Sequence, residues 1–102
     1  RMDWRQPAVA LARQVRAYNP WPVAETLLDG ERLRCWGAVP LQGGRTDAVP
    51  GQVVAAGAAG IDVQTGDGIL RLTVVQLPGR QRVPAADFAR GRAVLGRILG
   101  PA

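Results

Sequence analysis

The chain contains no histidine, no serine and no lysine, and its only cysteine is Cys35. Each absence closes off a class of chemistry. Without histidine there is no ordinary general base near neutral pH and no imidazole to ligate a metal. Without serine and lysine two common nucleophiles are missing, and a lone cysteine has no imidazole to activate it. One sulfur cannot fill a tetrahedral site, so a His/Cys metal cluster is excluded. One cysteine also excludes an intramolecular disulfide framework. No apolar run approaches the length of a membrane span, and the first residues carry no signal-peptide pattern. No membrane partner is expected, and a cytoplasmic setting is the default. Carboxylates, threonines and a single tyrosine remain for catalysis. Carboxylate pairs do support chemistry, and Asp62 and Asp67 flank one expected hairpin. The acids nevertheless sit in contexts such as Asp29-Gly30 and Gly66-Asp67-Gly68, which turn chemistry explains. The chain is not expected to be an enzyme by itself.

What is present is an arginine-rich domain. A length of 102 residues fits one domain. A 47% share of hydrophobic residues supplies one modest core. All 13 basic residues are arginine, and the net charge is +5. Such a balance points to an acidic partner. Residues 1–70 hold seven arginines and seven acids, whereas residues 71–102 hold six arginines and only Asp87. The net charge therefore lies in the last third. A general bias toward arginine would account for the absence of lysine, but less readily for this asymmetry.

Residues 6–18 read as a helix. Pro7 suits a first turn, and Ala8, Leu11, Ala12 and Val15 form one apolar stripe. Arg13 and Arg16 fall off it. Asn19, Pro20, Trp21 and Pro22 follow as a rigid connector, since a proline disfavours helix in the residue before it. Trp21 reads either as a hydrophobic plug or as a stacking surface. Residues 23–28 and 32–39 flank Asp29-Gly30, a strong hairpin signal. In the second of these strands Leu33 and Cys35 face one way, and Arg32, Arg34 and Trp36 the other. That face fits nucleic-acid contact, and equally arginine stems packed beside a half-buried indole. Residues 40–50 read as a loop broken by Pro40, Gly43, Gly44 and Pro50, with Arg45 at its tip. Residues 51–56 and 61–65 read as strands, as do residues 69–77. In the last of these Val75 and Leu77 shift the alternation, as a bulge would. A basic turn follows at residues 78–82. A terminal helix over residues 84–99 carries a stripe of Phe88, Leu95, Ile98 and Leu99, weakened by Gly91 and Gly96. No phosphate-binding loop is present.

The sum is mainly β: a small OB-like antiparallel barrel over residues 23–78, with an N-terminal and a C-terminal helix. Such barrels often bind oligonucleotides.

Several blocks carry a family resemblance in order along the chain. They are Met2-Asp3-Trp4, the run Arg16-Ala17-Tyr18-Asn19-Pro20-Trp21-Pro22, Pro50-Gly51, Gly66-Asp67-Gly68-Ile69-Leu70, Pro78-Gly79-Arg80 and Ala85-Ala86-Asp87-Phe88. Together they resemble the C-terminal domain of the methionyl-tRNA formyltransferase family, over nearly the whole chain. The resemblance implies a tRNA-holding domain of an enzyme that transfers formyl from 10-formyltetrahydrofolate to methionine on initiator tRNA. It implies that this chain is one domain of that polypeptide. The Asn, His and Asp of the reaction would sit in a Rossmann-like N-terminal domain. No cofactor or metal is expected in this domain. Two consecutive basic residues are common in the family after Gly79. Here Arg80 is followed by Gln81, then Arg82. Arg34 also falls where relatives are basic, and Gly37 where some carry lysine. The expected phosphate contacts are Arg80 and Arg82, then Arg34 and Arg71, then Arg45. The Asn19–Pro22 block is expected to be a structural connector to the catalytic domain. An alternative keeps the fold and changes the role. Formyltransferases acting on amino sugars or on folate carry similar domains for structure or subunit contact, without RNA binding.

Overall fold

The computed structural model describes residues 1–17, 23–44 and 47–100. The connector expected at Asn19, Pro20, Trp21 and Pro22 lies outside the described residues, as does Arg45.

Helix α1 spans Ala8–Ala17 and buries Ala8, Leu11, Ala12 and Val15. These are the four residues of the expected stripe, and they lie over strands β2 and β5. Full burial of side chains such as Leu11 and Val15 contributes about 1.5–3 kcal/mol each. Strands β1 (Ala24–Leu28) and β2 (Glu31–Leu41) form the expected hairpin. Asp29 and Gly30 both have positive φ, 50° and 83°. A two-residue loop of that handedness matches the twist of the strands it joins.

The sheet continues through β3 (Val53–Gly57), β4 (Gly60–Gln64) and β5 (Ile69–Gln76), in the order β1-β2-β5-β4-β3, all antiparallel. A short β6 (Val83–Pro84), which the sequence pattern did not single out, pairs with Val74 and Val75 of β5. β2 runs further than expected, through Pro40 to Leu41. β1 flanks β2 only as far as Cys35. Pro40 therefore sits where one side of β2 has no β1 neighbour, and a missing N–H is tolerated at such an edge. The alternation expected to slip near Val75 does slip. The β2–β5 register shifts on either side of Gly37.

The terminal helix is much shorter than the sequence pattern suggests. Helix α2 covers only Ala85–Arg90, not residues 84–99. Past Gly91 the chain leaves helical geometry, and its backbone finds partners at both ends of the sheet. Gly96 N–H donates to Val53 O and Val53 N–H to Arg97 O, at 2.9 and 2.8 Å. Leu99 N–H donates to Gly51 O at 2.7 Å. Gly100 and Leu27 exchange bonds of 3.0 and 3.2 Å. The strand path itself is open, and residues 96–100 bridge the gap between β3 and β1. The expected stripe divides accordingly. Leu99 is 2% exposed, whereas Leu95 and Ile98 are 67% and 60% exposed.

The N-terminal segment fastens the same region. Trp4 is buried and its Nε1 donates to Thr26 Oγ1 at 2.8 Å. Thr26 Oγ1 in turn donates to Gly100 O at 3.3 Å. Gly66 N–H donates to Trp4 O at 3.0 Å. A Cβ on Gly66 would stand 1.8 Å from Arg5 O, so only glycine fits this close approach.

Candidate nucleic-acid interface

The basic turn follows from its own residues. Leu77 O accepts a bond from Arg80 N–H at 3.2 Å, with Pro78 and Gly79 between them. Gly79 has φ of 71°. Proline presets the first corner of such a turn and glycine takes the positive φ of the second. Arg80, Gln81 and Arg82 are thereby presented to solvent.

A chain of side-chain contacts ties this turn to β2. The Arg82 guanidinium lies over the Trp36 ring, 3.7 Å from its centroid. Trp36 Nε1 donates to Gln76 Oε1 at 2.8 Å. Gln76 Nε2 then donates to Arg80 O at 2.7 Å. Arg34 is the cross-strand partner of Gln76 and is exposed. Arg34, Arg80 and Arg82 thus share one face around a half-buried indole. The sequence pattern placed Trp36 on the same strand face as Arg32 and Arg34. It did not reveal that Arg82 stacks on the ring, or that Gln76 holds ring and turn together. The only hint was a polar residue ending an apolar strand.

Arg71 is placed differently. Its Nε and Nη2 donate to the two carboxylate oxygens of Asp62 at 2.7 and 3.0 Å. Asp62 and Arg71 are partners in the β4–β5 register. The hydrogen bonds to Asp62 raise the Arg71 pKa above its already high ordinary value. This pair joins two strands and commits both groups to each other.

The remaining arginines of the last third are also engaged. Arg92 reaches Glu31 at 2.8 Å and Asp29 at 3.9 Å, Arg97 reaches Asp29 at 3.7 Å, and Arg90 pairs with Asp87. Among the described residues, the arginines that make no salt bridge are Arg13, Arg16, Arg32, Arg34, Arg80 and Arg82. Within the last third, the arginines without a salt bridge are therefore the two of the basic turn. Arg34 adds a third from β2.

Cys35 is fully buried beneath this face, and burial pushes its thiol up to about 12. A thiol held protonated is a poor nucleophile and a poor metal ligand. Among the described residues, no group of three or more His, Cys, Asp or Glu side chains is arranged to hold a metal ion. No helix there is long and apolar enough to cross a membrane.

Topology and surface together define a small OB-like β domain with one arginine-lined, indole-backed face. Residues 1–93 match the family described as formyl transferase, C-terminal domain, and the chain belongs to that family. It is 53% identical over 92 residues to a methionyl-tRNA formyltransferase of Stenotrophomonas maltophilia, covering 90% of this chain and 30% of that protein. It is 47% identical over 100 residues to that of Methylococcus capsulatus, covering 98% of this chain and 32% of that protein. The chain thus spans less than a third of the length of these relatives. Among solved structures, HypX from Aquifex aeolicus, in complex with tetrahydrofolic acid, superposes with a TM-score of 0.69 at 24% identity. That match covers 86% of this chain and 16% of HypX, and the likeness is one of fold.

Proposed function

We propose that this chain is the tRNA-holding domain of a cytoplasmic methionyl-tRNA formyltransferase. In this reading Arg80, Arg82 and Arg34 grip backbone phosphates of initiator tRNA. Another domain of the same polypeptide binds 10-formyltetrahydrofolate and transfers its formyl group to the methionyl amino group. The relatives' shared name supports the substrate class. The observation that carries the RNA-binding role is the Arg82–Trp36–Gln76–Arg80 chain of contacts.

Preorganisation favours this contact. A free arginine loses side-chain entropy when it grips a phosphate. Arg82 is already laid on an aromatic face, so less of that freedom is left to lose. Gln76 holds both the ring under Arg82 and the backbone from which Arg80 projects. Phosphate contacts of this kind fix register and orientation and carry little base discrimination. Arg71, committed to Asp62, stands outside the proposed contact set. Arg13, Arg16 and Arg32 add a broader positive field.

The test is a titration of labelled initiator tRNA with the chain across a series of salt concentrations. Three phosphate contacts predict a log–log slope of about −2 to −3, since each neutralised phosphate releases condensed counterions. An affinity indifferent to salt overturns the reading. It would favour the structural or subunit-contact role of the sugar and folate formyltransferase domains.

A further inference from the structure

Beside the basic turn lies a groove of about 420 Å³, between that turn and α2. Its size falls in the range of small-ligand sites, about 300–1,000 Å³. Leu77, Val83 and Phe88 line it with apolar surface. Its charged lining consists of Arg80 and Arg92 against Glu31 and Asp87, so the signs balance. Most of that charge is also internally satisfied, through Arg92 with Glu31 and Asp87 with Arg90. Arg92 approaches the Phe88 ring at 5.7 Å from its centroid, whereas Arg82 lies on Trp36 at 3.7 Å. The Phe88 ring is therefore less closely covered than the indole. Apart from Arg80, the groove presents paired charges and a partly open aromatic ring. It suits a flat, neutral, polar-edged group.

We infer that this groove is a nucleobase site, taking one unpaired base of an RNA strand whose phosphates lie on Arg80 and Arg82. The inference rests on the proposed RNA-binding role and adds a second element to it. Arg80 belongs to both surfaces, so a strand held at the turn passes the groove mouth. A base rotated out of its stack enters beside Phe88. Gln81 and Glu31 then offer hydrogen-bonding groups to its edge. Recognition of single-stranded RNA commonly combines phosphate gripping with stacking of splayed bases on aromatic side chains. Base-paired RNA has no free base to insert, so the site favours single-stranded segments over duplex.

Two RNAs of equal length test this, one a duplex and one a single strand carrying 2-aminopurine. The inference predicts tighter binding of the single strand, by about tenfold, with 2-aminopurine emission quenched on binding. Phe88→Leu removes both the preference and the quenching, leaving duplex affinity and its salt dependence unchanged. Phe88→Tyr retains them. The quenching on the unmodified chain needs no variant, so the test stands even if a substitution at Phe88 weakens folding. Equal affinity for the two RNAs, or quenching that survives Phe88→Leu, overturns the nucleobase site and leaves the phosphate contact intact. No salt-dependent binding to either RNA overturns both readings.

Discussion

The last third of the chain contains two arginine-rich regions that the fold treats in opposite ways. In the turn at residues 78–82, Arg80 and Arg82 project from a scaffold and make no salt bridge. In α2 and the segment after it, Arg90, Arg92 and Arg97 are each matched with an acid. Two of these acids, Asp29 and Glu31, come from the β1–β2 hairpin, far away in sequence. One region offers its charge outward, and the other pairs it, within α2 through Arg90 and across to the β1–β2 hairpin through Arg92 and Arg97. A charge census along the sequence counts both equally. Only the pairing separates a cation available to a polyanion from one already engaged.

Four substitutions break this comparison at different points. The largest effect is expected at Leu99, which is buried where the terminal segment bridges β3 and β1. Leu99→Ala should cost about 2–5 kcal/mol in chemical denaturation. Leu95→Ala, only four residues away but exposed, should change stability by less than about 0.5 kcal/mol. Equal losses at the two positions would mean that the terminal segment is not a closing element. Asp62→Ala comes next. It leaves the partly buried Arg71 guanidinium without its bidentate partner and should lower the melting temperature by less than Leu99→Ala does. If the freed Arg71 raises RNA affinity, its pairing is what withholds it from phosphate. The smallest effect is expected for Arg97→Ala. Its pair with Asp29 spans 3.7 Å at an exposed site and should contribute about 0–1 kcal/mol, diminishing in high salt.

Local features of the fold were legible in the sequence where the decisive interactions were local. Asp29-Gly30 specifies its hairpin through backbone handedness alone. The stripe of α1 follows from helical spacing, and all four of its residues are buried. The terminal segment misled for a physical reason. Phe88, Leu95, Ile98 and Leu99 satisfy a helical period, but Gly91 and Gly96 make a helix costly there. The competing partners, Gly51, Val53 and Leu27, lie far upstream. Pro40 misled similarly, because its tolerance depends on which side of β2 has a neighbour. At the candidate site, the charge of Arg80 and Arg82 was visible, and so was the indole of Trp36. Their union was not. It depends on the β2–β5 register, which shifts around Gly37 and sets Gln76 where it meets both ring and turn. Arg71 looked as available as its neighbours until its register placed Asp62 opposite.

The most direct test of the account compares two double variants for tRNA affinity across salt: Arg80→Ala with Arg82→Ala, and Arg90→Ala with Arg97→Ala. Each removes the same formal charge from the same third of the chain. Removing one arginine that neutralises a phosphate should reduce the steepness of the log–log salt dependence by about 0.7–0.9. The account predicts a reduction of about 1.4–1.8 for the turn variant and a slope close to the parent's for the α2 and tail variant. Equal reductions in the two would contradict it, showing that net charge, and not the indole-backed face, governs RNA binding.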